Sequence, residues 1–129
     1  MKASCSKKKF IALLAMLLGS SGLMAESPIG FWQHEKEPVW IEIPADETSG
    51  FVRRNDNNPD GVGFEMLKAL TLLDEESSRW SGEVYAAKLG EFKPAVIEMV
   101  DDNRLRFTVK VGFLSRTVEW RRVIEVPAN

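Results

Sequence analysis

Apolar positions along this chain recur with a period of two, in short runs broken every ten or so residues by turn-forming side chains. Val39, Ile41 and Ile43 alternate with Trp40 and Glu42, and Trp80, Gly82, Val84 and Ala86 alternate with Ser81, Glu83 and Tyr85. Leu105, Phe107, Val109 and Val111 form the clearest stripe, against Arg104, Arg106, Thr108 and Lys110. In the last run Val118 and Trp120 oppose Thr117, Glu119 and Arg121. Period two puts each apolar set on one face of a strand. Asp101-Asp102-Asn103, Glu75 to Ser78, Gly90 and Gly112 supply the turn chemistry between runs. Runs at 30–34, 39–44, 50–54, 66–73, 79–87, 93–100, 104–111 and 115–123 therefore predict about eight antiparallel strands and an all-β fold. Eight strands suit a closed barrel, whose interior holds side chains or one small ligand and whose closure leaves no sheet edge exposed. One segment is ambiguous. Phe64, Leu67, Leu70 and Leu73 stand at helical spacing, while Met66, Leu70 and Leu72 fit a strand face. The Thr71-Leu72-Leu73 run feeding a polar loop favours a strand.

The first 25 residues depart from this pattern. Lys2, Lys7, Lys8 and Lys9 form a positive head, Phe10 to Leu18 is unbroken apolar chain, and Ala25 is a small residue at a cleavage position. These are the parts of a secretory signal peptide, cut before Glu26, although Leu23 is larger than ideal at the third position before the cut. The stretch from Phe10 to Ala25 falls short of the roughly 20 apolar residues of a spanning helix, so no membrane anchor is expected after cleavage. Cys5 lies upstream of the apolar run, where it cannot become a lipidated N-terminus. The expectation is residues 1–25 as a leader and 26–129 as a single β-barrel domain, exported to the periplasm or beyond.

Removing the leader changes the charge. Four of the 17 basic residues and none of the 19 acidic ones lie in it, leaving 13 against 19, a net of −6. An acidic surface argues against binding nucleic acid or anionic lipid, which need clustered positive charge. Cys5 is the one cysteine in the chain, so disulfides and thiol catalysis are excluded from 26–129. His34 is the one histidine, and its place beside Gln33 and Glu35 reads as a solvated surface residue rather than a catalytic base. No serine has a nucleophile-elbow context, and the acids fall mainly in turns and on polar strand faces. No catalytic residue, cofactor or metal site is expected. Asp56-Asn57-Asn58-Pro59-Asp60-Gly61 resembles the opening of a calcium loop, but its twelfth position is Leu67 where calcium needs a bidentate Glu. A structural turn is the better reading.

The tryptophans carry more information. Gly30-Phe31-Trp32 opens the first strand and Trp120-Arg121-Arg122 closes the last, and in a closed barrel these strands are neighbours. A guanidinium from one terminus can then cover an indole from the other. By alternation Arg122 shares the face of Trp120, so Gly30, Trp32 and Arg122 are the candidate barrel-closing set. The alternative is that Trp32 and Trp120 are plain core residues. Pro28-Ile29-Gly30-Phe31-Trp32, Asn57-Asn58-Pro59-Asp60, Arg79-Trp80-Ser81-Gly82 with Tyr85, and Arg116 to Val123 occur in the order found in the uncharacterised bacterial family called domain of unknown function 2147, which the chain resembles from end to end of 26–129. The resemblance implies a small exported protein with a lipocalin-like (calycin) barrel. Gly30-x-Trp32 with a late Arg also resembles the lipocalin barrel-closing signature. The chain departs from the family at Lys88 to Phe92, where an Asp-rich turn is expected, and at Ser49-Gly50-Phe51, which lacks a cysteine.

Two functions remain open at this point. One is a carrier or sensor of a small apolar ligand held in the barrel interior by Trp80, Val84, Phe107, Val109 and Trp120. The other is a structural or protein-interaction module of the cell envelope with a solid interior. Small residues (Gly82, Ala86, Ala95) argue for room, and large ones (Trp80, Met99, Phe107, Trp120) against it.

Overall fold

A computed structural model describes residues 27–128; the expected leader and its cleavage bond lie outside the described residues. The chain runs through β1 (Gly30–His34), β2 (Val39–Ile43), β3 (Gly50–Asn55), a 3₁₀ turn (Pro59–Gly61), β4 (Glu65–Asp74), β5 (Arg79–Ala86), β6 (Glu91–Asp101), β7 (Arg104–Val111) and β8 (Leu114–Val123). Each strand pairs antiparallel with the next, and β8 returns to β1 to close an eight-stranded barrel. The all-β, eight-stranded closed barrel expected from the period-two runs is the one observed, and it is consistent with the lipocalin-like barrel that the resemblance implies.

The alternation of the sequence becomes the inside and outside of this barrel. Trp32 stands opposite Ile41 on one side and Arg122 on the other, and Leu105 stands between Met99 and Trp120. Trp32, Ile41, Ile43, Leu67, Ile97, Leu105 and Phe107 are at most 1% exposed, so the middle of the barrel is packed with side chains. Burying each contributes roughly 1.5–3 kcal/mol, which a domain without disulfides needs.

The ambiguous segment is β4, and its helical spacing has a local cause. Ala69 adopts φ 56°, and the register against β5 slips between Lys68 and Thr71. This bulge inserts one residue, so the inward series passes from Leu67, opposite Val84, to Leu70 rather than Ala69. A spacing of three on a strand thus imitates a helix. Leu67, not Met66, is the inward residue before the bulge. A second refinement concerns Trp40. It faces outward as alternation requires, yet it is buried, because the Arg54 guanidinium lies 4.9 Å from its ring centre.

Antiparallel connection sorts the turns to two ends. The β1–β2, β3–β4, β5–β6 and β7–β8 turns share one end, and the residues before β1 share the other with the β2–β3, β4–β5 and β6–β7 turns.

Candidate functional site

The end where the chain enters β1 is closed by the first and last strands. Arg122 lies 4.4 Å from the Trp32 ring centre. Its Nη1 donates to the Ile29 carbonyl at 2.8 Å, its Nη2 to Ser27 at 2.8 Å and its Nε to Asp102 at 2.7 Å. The Trp32 indole N–H donates to the Pro28 carbonyl at 2.9 Å, and Pro28 is itself fully buried. Gly30 makes this approach possible. Its φ is 133°, and a Cβ built there would stand 2.9 Å from Arg122 Nη1. Arg121, one residue earlier, points outward and donates to Gln33.

The opposite end holds a cleft of about 460 Å³ between the β5–β6 turn, β7, β8 and the end of β1. Val84, Ala86, Val109, Val111 and Val118 line it with Leu89 from the turn, and His34, Lys88 and Arg116 supply its nitrogen-bearing side chains. No Asp or Glu lines it. Beneath His34 the Trp120 ring meets the imidazole edge-on at 5.0 Å, and Phe107 packs against the same indole at 5.5 Å. Trp120 Nε1 is buried without a hydrogen-bond partner.

His34 corrects the sequence reading. It shares the inward phase of Trp32 and pairs with Trp120, so it sits half-buried on the inner rim rather than as a solvated surface side chain. Its Nδ1 accepts the backbone N–H groups of Lys36 and Glu37, both at 3.0 Å, which assigns the ring proton to Nε2. Burial, followed by the Lys36 charge, lowers its pKa below the ordinary 6.5, against the opposing pull of Glu37 and Glu35.

The five residues chosen from the sequence as an interior ligand site all face inward, but they do not form one site. Val84 and Val109 line the cleft at the open end. Phe107 and Trp120 are packed below it, and Trp80 borders a separate cleft of about 510 Å³ at the closed end, among Asp46, Glu47 and Glu75. Gly82 leaves no room either. Leu70 Cδ1 comes within 3.2 Å and Ile97 Cδ1 within 3.5 Å of where its Cβ would stand. The sequence reading missed His34, Arg116 and the β5–β6 turn. Alternation carried the signal for Arg116, which shares the phase of Val118 and Trp120; that Lys88 and Leu89 would bend over the same cleft had no local signal.

In the calcium-like segment, Asp56 is bound by Arg54 through Nε at 2.7 Å and Nη2 at 3.1 Å. That guanidinium holds the Asp56 carboxyl below its usual range. Asn55 Oδ1 accepts the N–H groups of Asn57 and Asn58, the geometry of a structural turn. Among the described residues no group of three or more His, Cys, Asp or Glu could hold a metal ion, and no helix is long and apolar enough to cross a membrane. Comparison with family models, curated proteins and solved structures finds no match to this chain.

Proposed function

We propose that this is an exported, non-enzymatic binding protein that carries or senses a small apolar molecule in the cleft at the open end of its barrel. The observation that carries the reading is the lining: seven aliphatic side chains from β5, β7, β8 and the β5–β6 turn converge on one concavity, whose size falls in the range of small-molecule sites. The packed middle of the barrel limits the ligand to the mouth, so it is shorter than a cargo threaded through the whole interior. The same packed middle favours the rival reading, a solid interaction module of the cell envelope. Export rests on the Lys-rich start and the apolar run of residues 2–18. Kinship with domain of unknown function 2147 rests on the ordered motifs, and it implies the kind of barrel the chain adopts.

The test is a titration of the purified protein with 1-octanol, followed by methyl NMR. Val84, Val109 and Val118 should shift together with a micromolar-range dissociation constant, about −8 kcal/mol at 1 μM. No shift at these methyls sinks the carrier and leaves the solid module. For export, N-terminal sequencing of periplasmic material should begin within a few residues of Glu26; an intact Met1 in a membrane fraction overturns it.

A further inference from the structure

We propose that the ligand of this cleft is an amphipathic anion, its tail against Val84, Val109 and Val118 and a carboxylate-class head between Arg116 and Lys88. The inference rests on the apolar-ligand reading above and adds the head group to it. Its starting point is where the cations of this chain that are not held by carboxylates stand. Arg53 pairs with Glu42, Arg54 with Asp56, Lys93 with Glu91, and Arg104 and Arg106 with Glu119. Arg122 is consumed by three backbone carbonyls at the closed end. Arg116 and Lys88 have no carboxylate partner among the described residues, a trait they share with Lys36, Lys68, Arg79, Lys110 and Arg121, but of these seven only Arg116 and Lys88 line the cleft.

Their position sets them apart. Arg116 lies opposite Val109 on the inward phase of β8, two residues beyond Val118 toward the mouth. A cation on the inward face of a strand, at the rim of an apolar concavity, is where a bound amphipath would leave its charged head. Lys88 reaches the same cleft from the β5–β6 turn, so the two cations come from separate elements. The acids at this end, Glu35 and Glu37 on the β1–β2 turn, Asp56 and Asp60 between β3 and β4 and Glu91 at the start of β6, do not line the cleft. A guanidinium offers a planar fork that matches a carboxylate, and the ammonium adds a second charge without demanding a fixed geometry. Both groups stay in contact with water, so the head keeps part of its hydration and the pairing is modest rather than tight.

The experiment compares octanoate, 1-octanol and octylammonium at pH 8, read by the same valine methyls and by calorimetry. Octanoate should bind about tenfold tighter than 1-octanol, with octylammonium weakest. Raising sodium chloride from about 0.05 to 0.5 M should weaken octanoate alone, because exposed pairs are screened over a Debye length. Arg116→Gln with Lys88→Gln should erase the octanoate advantage, bringing octanoate to the affinity that 1-octanol has for the same variant. Neither side chain makes a contact that the fold depends on, and an unaltered melting temperature checks this. Equal binding of octanoate and 1-octanol, or an advantage that survives the double substitution, overturns the anionic head while the apolar cleft stands. Failure of all three probes removes the cleft itself, and the head with it.

Discussion

Arg121 and Arg122 are adjacent in sequence and opposite in role, which makes them a sensitive probe of the closed end. Arg122 covers the Trp32 ring and binds three carbonyls from two segments of chain, whereas Arg121 makes one exposed bond to Gln33. Urea unfolding should show Trp32→Ala losing on the order of 3–5 kcal/mol, as for other large core aromatics. Arg122→Ala should cost about 1–3 kcal/mol for its charged hydrogen bonds, and Arg121→Ala less than about 0.5 kcal/mol. Equal costs for the two arginines would show that the plug contributes nothing. His34 gives a second residue-scale prediction. Because the fold depresses its pKa below 6.5, folding favours the neutral ring. The stability this preserves is complete above about pH 6.5 and is lost as pH falls through the depressed value. The melting temperature should therefore drop between pH 7.5 and 5.5. His34→Asn, which keeps an acceptor for the Lys36 and Glu37 N–H groups but cannot titrate, should flatten that drop. An equally steep decline in the variant would place the pH dependence elsewhere.

Among the elements, β4 is the one whose conformation works against its own residue type. Ala69 occupies the left-handed region at φ 56° to make the bulge, at a cost of roughly 1–2 kcal/mol for a residue with a Cβ. Glycine removes that strain but adds about 0.4–1 kcal/mol of unfolded-state entropy to be lost on folding. Ala69→Gly should thus stabilise the protein by about 0.5–1 kcal/mol in denaturant titrations. A destabilised Ala69→Gly would mean that the bulge is not a feature of the folded strand in solution. Deleting Ala69 should leave Leu67, Leu70 and Leu72 on their present faces, since Leu67 and Leu70 would then flank Lys68 alone as regular alternation requires; soluble folded protein is the expected outcome, and loss of folding would show that the core depends on the bulge itself.

For the molecule as a whole, the two ends of the barrel differ in kind. One is sealed by Pro28, Trp32 and Arg122, and the other opens onto an apolar cleft rimmed by His34, Lys88 and Arg116. Between them a single core runs through all eight strands, so unfolding should be one cooperative transition by fluorescence and by circular dichroism. Because Asp56 is engaged by Arg54 and the loop lacks its twelfth-position acid, millimolar calcium or EDTA should leave that transition unmoved. A rise of several degrees with calcium would restore the segment from Asp56 to Gly61 as a metal loop.

How much of this was written locally follows from what alternation can and cannot encode. Period two at 39–43, 80–86, 104–111 and 117–121, with turn residues between, determined the strands, their faces and the barrel class. It also singled out Arg122 over Arg121, because a side chain's face depends only on its parity along one strand. Parity fails wherever the backbone slips: counting by twos from Leu70 puts Met66 inward, whereas the bulge at Ala69 shifts the phase and places Leu67 there instead. Parity is equally silent about height along the barrel. Trp80 and Val84 share a face but lie toward opposite ends, so only the register of eight strands separates the sealed end from the cleft. The cleft itself depends on which turns meet, bringing Lys88, Arg116 and His34 together from three elements far apart in sequence. That convergence is set by the tilt and closure of the sheet, which no local run of residues contains.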